Sequence, residues 1–319
     1  MIPSNAVWSR RTVLATGCSG FVGQWLLQRL IDSGARVIGF CRSEMRSADM
    51  FSGIPLPVPF TLVRGDLSDY SLLERTMREH DVDTVFHLAA QAKADNAQRQ
   101  PRETFETNIQ GTWNLLEAVR NAGRPIRVVL ASTPLEGMSP YAASKVCCEV
   151  IARCYHQTYR VMLAIARTTN LYGGGDLSFE RIIPGTIRAV LCGESPLINS
   201  DGLAERDYLY VEDAVTGYLL LAEAMEHSDL GGETFTFGTE SPVTVLKTVE
   251  TILKLMGRLD LRPRVLGLSG NASFRHSSSE ATRKRLGWAP AATLESGLKK
   301  TIEWYQGHAS ELNLEIRNG

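Results

Sequence analysis

Two side chains in the middle of the chain have the types and the spacing of a proton-transferring pair. Tyr141 and Lys145 lie four residues apart in a predicted helix, so both would point from one face of that helix. A free tyrosine has a pKa of about 10. A lysine ammonium nearby, or the positive charge of an oxidised nicotinamide, favours the ionised form. The pair could therefore act as a base toward a substrate hydroxyl.

Two further hydroxyl groups precede this pair. Ser132 and Thr133 follow the apolar run RVVLA, and they would stand at the carboxyl end of a strand. Either hydroxyl could hydrogen-bond the substrate oxygen from which Tyr141 removes a proton. The connection between these groups is short, because Tyr141 follows Thr133 by only eight positions.

A glycine-rich turn follows the first apolar run of the chain. In the stretch TGCSGFVG, Gly17, Gly20 and Gly23 stand between a predicted strand and a predicted helix. Gly17 permits the tight turn, Gly20 lets the backbone approach a pyrophosphate, and Gly23 lets helix and strand pack closely. The amino end of the helix, with Phe21 and Val22, then offers unpaired N–H groups to the phosphates. The loop predicts that the protein binds a dinucleotide cofactor.

The end of the second predicted strand, VIGFCRS, bears on the choice of cofactor. An acidic residue at this point would hydrogen-bond the adenosine ribose of NAD, but the chain has Cys41 there, followed by Arg42. A guanidinium pairs well with phosphate oxygens. Arg42 therefore favours NADP over NAD. The alternative interpretation is that Arg42 is a surface arginine on a loop.

Short apolar runs alternate with helical patterns in the first half of the chain. Strands are predicted at 12–17, 35–41, 60–66, 83–90, 126–133 and 161–167, and helices at 21–33, 71–80, 104–123 and 141–159. This alternation predicts an α/β fold with a Rossmann-type, doubly wound parallel sheet. Beyond Asn170 the alternation of strands and helices gives way to loops rich in glycine and proline. Helices are expected there near 182–191, 211–224, 243–256 and 294–304, and this part of the chain is expected to supply a smaller C-terminal substrate-binding region.

Composition argues against several other classes of function. The 34 basic and 35 acidic residues are nearly balanced, and no Lys/Arg run forms a nucleic-acid footprint. No apolar run approaches the length of a membrane span. The six cysteines and six histidines lack the spacing of a metal site, so no metal is expected. The cysteines are expected to be reduced and mostly buried, and His87 to be a packed strand residue.

Several motifs along the chain resemble those of one enzyme family. The motifs are TGCSGFVG, RGDLSD, VFHLAAQA, TNIQGTWNLLEAV, YAASK, NLYGGGD, RIIPGTIRAVL, RDYLYVEDAV and LGWAPAATLESGLKKTIEWY. Together they resemble the extended short-chain dehydrogenase/reductases that act as NAD(P)-dependent nucleotide-sugar epimerases and dehydratases. The stretch 170–191 most resembles the CDP-glucose 4,6-dehydratase branch. The resemblance covers nearly the whole chain.

The resemblance implies a role for each matching residue. Tyr141 would remove the proton from the 4-hydroxyl of a nucleotide-linked hexose, Lys145 would hold the nicotinamide ribose, and Thr133 would share the substrate oxygen. Arg206 would bind the diphosphate of the sugar nucleotide through paired hydrogen bonds, and Asn170 would face the same substrate. The remaining implied contacts are Asp66 and Leu67 at the adenine, Leu88, Ala89 and Ala90 beside the cofactor, and Asn108 near the substrate.

The resemblance also implies how the chain is organised. Residues 1–168, with roughly 207–238, would form the dinucleotide-binding Rossmann domain, and residues 169–206 and 239–319 the sugar-nucleotide-binding region. The helices near 102–122 and 141–158 would pair across a two-fold axis in a homodimer. The expected protein is cytoplasmic, takes a nucleotide sugar as its substrate, and binds neither nucleic acid nor a membrane.

The chain departs from this family between Thr133 and Tyr141. Family members have a much longer loop there, which begins with an acid and a base or lysine beside the substrate. A 4,6-dehydratase needs such groups to remove water across carbons 5 and 6. Glu136 belongs to the tail of that loop and is not expected to replace them. Either the loop has been deleted, or the printed sequence omits residues that the natural chain contains.

Three hypotheses for function follow. The first is an enzyme that oxidises carbon 4 of a nucleotide-linked hexose with NAD(P), and then eliminates, epimerises or reduces. The second is an NADPH-dependent 4-keto-sugar nucleotide reductase, which Arg42 and the short connection favour. The third is a non-catalytic dinucleotide-binding protein with a damaged site. The retained pair of Tyr141 and Lys145 opposes this third hypothesis.

Overall fold

Strands and helices alternate along most of the chain. The computed structural model describes residues 3–42, 60–134, 139–228, 230–268 and 278–314. Its strands are β1 (Thr12–Thr16), β2 (Arg36–Cys41), β3 (Thr61–Arg64), β4 (Thr84–His87), β5 (Arg127–Ser132), β6 (Met162–Thr168), β7 (Asn170–Tyr172), β8 (Leu197–Ser200), β9 (Glu205–Arg206), β10 (Tyr208–Tyr210), β11 (Thr234–Phe237), β12 (Val243–Thr244) and β13 (Arg264–Leu268). Its helices are α1 (Asn5–Trp8), α2 (Phe21–Asp32), α3 (Tyr70–Glu79), α4 (Ala94–Arg99), α5 (Pro101–Phe105), α6 (Gly111–Asn121), α7 (Pro140–Tyr159), α8 (Ile182–Leu191), α9 (Val211–Ala224), α10 (Val245–Leu255), α11 (Glu280–Leu286) and α12 (Leu294–Gly307).

A seven-stranded parallel sheet forms the centre of the fold. Its strands lie in the order β11, β6, β5, β4, β1, β2, β3, and every neighbouring pair is parallel. The strand order reverses between β1 and β4, which is the point where open parallel sheets bind their ligands. The predicted α/β fold with a Rossmann-type sheet is therefore confirmed.

Helices cover both faces of this sheet. One face packs against α2 and α9 through a buried cluster that includes Leu26, Leu30 and Leu219. The other face packs against α3, α6 and α7 through a cluster that includes Leu73 and Leu115. Both faces of the strands are thus apolar, which explains why they read as continuous apolar runs in the sequence.

The C-terminal region is built from smaller elements around its own apolar clusters. Three two-stranded pairs, β10 with β7, β12 with β9 and β13 with β8, stand beside helices α8, α10 and α12. The four helices expected in this half are present, although the predicted helix at 243–256 begins with the short strand β12. The paired strands were not predicted, because their partners are far apart in sequence and the segments are short.

The long helix predicted at 104–123 differs from a regular α-helix. A π-helical turn, Glu106–Gln110, joins α5 to α6. The carbonyl of Asn108 inside this turn accepts hydrogen bonds from Thr112 Oγ1 at 2.6 Å and Cys148 Sγ at 3.1 Å. Turns of this kind occur mostly as single interruptions of α-helices and often near functional sites.

The cysteines are less buried than expected. Cys18, Cys41 and Cys148 are buried, but Cys147 and Cys154 are exposed on α7, and the six cysteines form no disulfide. Among the described residues, no helix is both long and apolar enough to cross a membrane.

Candidate active site

The carboxyl ends of β1, β2, β4, β5 and β6 open into two adjoining cavities. The glycine-loop cavity, of about 420 Å³, lies over the ends of β1 and β2, and the strand-end cavity, of about 990 Å³, lies over β5 and β6. The larger volume is at the upper end of the range typical of ligand sites. The residues that line both cavities are Phe21, Val22, Leu88, Ala90, Ala92 and Arg181.

Two glycines of the loop have no room for a side chain. Gly17 has a φ of +69°, and a Cβ there would lie 2.7 Å from the backbone nitrogen of Ala89. A Cβ on Gly23 would lie 2.2 Å from the carbonyl oxygen of Gly17. These glycines therefore let the tight turn pack closely against the segment after β4 and against α2. The turn also lines the cavity beside the amino end of α2, a position that fits the pyrophosphate of a dinucleotide.

The expected cofactor residues line the glycine-loop cavity. Besides the loop glycines, its wall includes Arg42 and Asp66, whose side chains form an ion pair at 3.9 Å. Burial raises the pKa of Asp66, but the Ser68 amide and the Arg42 charge outweigh burial and hold it below its ordinary value. The other expected residues in this wall are Phe21, Val22, Leu67, Leu88, Ala89 and Ala90.

Tyr141, Lys145 and Thr133 line the strand-end cavity together. Helix α7 begins directly before Tyr141, because Ser139 Oγ accepts a hydrogen bond from the Ala142 amide at 3.1 Å and Pro140 occupies the first helical position. Lys145 is only 7% exposed, and its Nζ donates to the Ala131 carbonyl at 2.7 Å. The amine is thus anchored to the end of β5 while it faces the cavity.

The structure distinguishes between the hydroxyls of Ser132 and Thr133, either of which could contact the substrate according to the sequence. Ser132 is buried, and its Oγ donates to Glu149 Oε1 at 2.7 Å. Thr133 is half-buried in the cavity wall. Because the Ser132 proton already has an acceptor inside the protein, Thr133 is the better candidate for a contact with substrate.

His87 is a packed residue beneath the site, as expected. Its ring nitrogens contact Thr16 Oγ1 at 2.8 Å and Thr112 Oγ1 at 3.1 Å. Complete burial, with a smaller effect from the Lys145 charge, lowers the pKa of His87 to about 3. The ring is therefore neutral and supports the ends of β1 and β4.

Two of the expected substrate residues also line the strand-end cavity. Asn170, at the start of β7, donates from Nδ2 to the Asp207 carbonyl at 3.3 Å, and Arg206, at the end of β9, donates to the Glu205 carbonyl at 2.8 Å. Asp207 is buried and accepts bonds from the amides of Thr239 and Glu240, which hold this segment in place.

Asn108 is placed differently from the expectation of a substrate contact. It is buried, its Oδ1 accepts from the Gln91 amide at 2.7 Å, and its Nδ2 donates to the Gln91 carbonyl and to Ser144 Oγ at 2.8 Å. Both polar atoms of its amide thus have partners inside the protein, and it lines neither cavity. The side chain ties the loop after β4 to α7.

Two residues of the site were missed by the sequence analysis. Arg181 precedes α8, donates to Asp176 at 3.0 Å and lines both cavities. Its position directly before an amphipathic helical pattern could have indicated it. Glu149 holds Ser132, and it lies four residues after Lys145, so the same helical spacing that marks Tyr141 and Lys145 could have found it.

A family model agrees with this arrangement. Residues 13–236 match the model of the NAD dependent epimerase/dehydratase family. The chain belongs to this family. The matched range runs from β1 to β11 and includes both the glycine loop and the pair of Tyr141 and Lys145.

Relatives in the epimerase/dehydratase family match over nearly their whole length. The CDP-glucose 4,6-dehydratase of Salmonella typhimurium is 28% identical, over 96% of this chain and 93% of the relative. A structure of UDP-glucose 4-epimerase with UDP-glucose from Thermotoga maritima is 27% identical, with a TM-score of 0.83 over 93% of this chain and 99% of that one. A structure of dTDP-glucose 4,6-dehydratase in complex with NAD from Bacillus anthracis is 26% identical, with a TM-score of 0.82 over 94% and 98%.

Acidic residues in the cavity wall are of interest because elimination of water requires an acid and a base. The described part of the strand-end cavity wall contains Asp176, Glu180 and Glu194. Asp176 is buried against Arg181, and Glu180 pairs with Lys93 at 3.0 Å. Glu136 lies outside the described residues.

Proposed function

We propose that this member of the family is an NAD(P)-dependent enzyme that oxidises carbon 4 of a nucleotide-linked hexose. The observation that carries the proposal is the joint presence of Thr133, Tyr141 and Lys145 in the wall of one cavity that adjoins the glycine-loop cavity. A hydride can pass only between groups in contact, and the shared walls allow a sugar and a nicotinamide to meet there.

Each side chain has one task in this proposal. Tyr141 removes the proton from the 4-hydroxyl, Thr133 hydrogen-bonds the same oxygen, and Lys145 holds the nicotinamide ribose. Arg206 and Asn170 hold the nucleotide part of the substrate in the same cavity. The bound nicotinamide supplies an acceptor for the hydride of carbon 4. Asn108 acts only through the loop and the helix that it joins.

The fate of the ketone depends on the short connection after Thr133. Elimination across carbons 5 and 6 requires an acid and a base beside the sugar. Tyr141 follows Thr133 by only eight positions, so the connection is too short to carry the acid and the base of the longer family loop. We therefore favour 4-epimerisation over 4,6-dehydration. Reduction of a 4-keto sugar by NADPH is the second candidate, and Arg42 at the glycine-loop cavity favours it.

Cofactor preference, assembly and location are parts of the same proposal. Arg42 is 63% exposed at the cavity, so it can leave Asp66 for the ribose phosphate of NADP. Helices α5, α6 and α7 pack against one another and expose large apolar side chains, which favours a homodimer through these helices. We place the enzyme in the cytoplasm, where its cysteines would stay reduced.

Product analysis tests the proposed function. Purified protein of intact mass 35.2 kDa is incubated with NAD or NADP and with UDP-, dTDP- or CDP-glucose, and the sugars are identified by mass spectrometry and NMR. We expect a 4-epimer from at least one of them, and a loss of rate of about 100-fold or more in Tyr141→Phe. Turnover by Tyr141→Phe at the wild-type rate would show that Tyr141 is not the base.

A further inference from the structure

A buried carboxylate lies directly behind the site. Glu149, with a side chain 1% exposed, accepts hydrogen bonds from Ser132 Oγ at 2.7 Å, from Arg167 at 2.7 and 2.5 Å, and from Arg153 at 3.0 Å. Burial opposes the charged form, but the Arg167 and Ser132 bonds and both guanidinium charges lower the pKa of Glu149 below its ordinary value. The carboxylate is therefore ionised and held from three sides.

This carboxylate connects the helix of the site to the strands of the site. Ser132 and Arg167 are directly paired residues of β5 and β6, and both bind Glu149 on α7. One turn earlier, Lys145 binds the carbonyl of Ala131. Two successive turns of α7 are thus attached to the last two residues of β5, and Thr133 is the next residue of the chain.

We propose that Glu149 is a positioning residue, which fixes the Thr133 hydroxyl relative to Tyr141 and Lys145 through its bond to Ser132. This inference rests on the proposed function for the roles of those three side chains. A hydroxyl that shares the substrate oxygen with the base must hold its place within about half an ångström. The Glu149–Ser132 bond supplies this constraint, because Ser132 adjoins Thr133 and Glu149 lies one turn from Lys145 on the same helix.

The competing explanation is that Glu149 only neutralises two arginines and stabilises the fold. A double-mutant cycle separates the two roles, since Glu149 makes no hydrogen bond to Thr133 itself in the described structure. The cycle compares wild type, Glu149→Gln, Thr133→Val and the double variant. Each protein is measured for kcat and KM with a sugar nucleotide that the wild type converts, and for thermal stability.

The positioning role predicts a specific pattern. Glu149→Gln should lower kcat by about 10- to 100-fold with KM changed by less than about 3-fold, and the same substitution in the Thr133→Val background should cost less than about 2-fold. An equal loss in both backgrounds, or no loss, would overturn the inference. The control is Glu226→Gln, which removes a carboxylate that pairs with Arg11 at 2.8 Å, away from both cavities, and should leave kcat unchanged.

A second variant tests the inference even if Glu149→Gln misfolds or the proposed function is wrong. Ser132→Ala removes only the bond between β5 and Glu149, while both arginines keep their acceptor. Crystal structures of wild type and Ser132→Ala should show the Thr133 and Tyr141 hydroxyls displaced relative to each other by more than about 0.5 Å. An unchanged separation would refute positioning. This readout needs no turnover, so a wild type that converts no sugar nucleotide would count against the proposed function alone.

Discussion

Arg42 is the side chain of this site that bears most directly on the choice between NAD and NADP. It occupies the position after β2 where Rossmann-type folds contact the adenosine ribose. Its only ion pair among the described residues is with Asp66, at 3.9 Å, and both side chains are largely exposed. Exposed pairs of this kind contribute about 0–1 kcal/mol. The guanidinium is therefore available to a phosphate.

Replacing Arg42 by alanine should weaken NADP binding selectively. We expect the Kd for NADP to rise about 10-fold, as one charge-assisted contact is lost, and the Kd for NAD to change by less than about 2-fold. Titration of each cofactor by isothermal calorimetry measures both constants. Equal losses for the two cofactors would contradict a role for Arg42 in reading the ribose phosphate.

His87 links the stability of the site to pH. Its pKa in the folded protein is about 3, below the ordinary value of 6.5, because the ring is buried. The unfolded chain therefore binds the proton more readily. The contribution of the neutral ring to stability is complete above pH 6.5 and is lost progressively as the pH falls toward 3.

His87→Gln should reduce this sensitivity to acid. Between pH 7 and pH 5, we expect the free energy of unfolding to fall by about 2 kcal/mol less in the variant than in wild type. Urea denaturation at the two pH values measures the difference, and acidic groups common to both proteins cancel. An identical fall in wild type and variant would show that His87 does not titrate in this range.

At the level of elements, α12 and the loop after β7 fit each other closely. A Cβ on Gly174 would lie 2.2 Å from Cγ of Trp304 on α12, and the Gly174 carbonyl accepts a bond from Trp25 Nε1 at 2.8 Å. This loop leads directly to Asp176 and to Arg181 of the cavity wall. The C-terminal helix thus supports a loop of the site that is far from it in sequence.

Gly174→Ala should therefore destabilise the protein. We expect a loss of about 1–3 kcal/mol in the free energy of unfolding, since the indole must move from a packed position. Gly307→Ala is the matched control, because nothing lies within 4 Å of its added Cβ, and it should be neutral or slightly stabilising. Thermal unfolding of both variants tests this packing, and equal stabilities would contradict it.

The elements also show what the sequence could and could not predict. Strands β1 to β6 were predictable because each is a short segment rich in apolar residues between turns and helices. The pairings of β9 with β12 and of β8 with β13 were not, because nothing local marks two short segments as partners. The choice between Ser132 and Thr133, and the inward orientation of Asn108, likewise depend on neighbours from other parts of the chain.

At the scale of the whole molecule, α5 to α7 present an apolar face to solvent. Phe105, Trp113, Val146 and Val150 are exposed on these helices, which pack against one another, and Val150 is 58% exposed. Large apolar side chains exposed on neighbouring helices favour an interface there. It supports the proposed homodimer.

Val150→Arg should shift the protein from dimer to monomer. A guanidinium buried in an apolar interface without a partner is strongly unfavourable, so light scattering should report 35.2 kDa for the variant and twice that for wild type. Leu203→Arg, at a residue 66% exposed outside this face, should leave the dimer intact. A monomeric wild type would contradict the proposal, as would a dimeric Val150→Arg.

Hydride transfer from carbon 4 is the central claim of the account. The most direct measurement mixes the protein and its oxidised cofactor with a convertible sugar nucleotide that carries hydrogen or deuterium at carbon 4, and follows the absorbance of the reduced nicotinamide in a single turnover. We predict a transient rise that is slower with deuterium and absent in Tyr141→Phe. The claim would be contradicted if product formed without an isotope effect on any step and without transfer of deuterium to the cofactor.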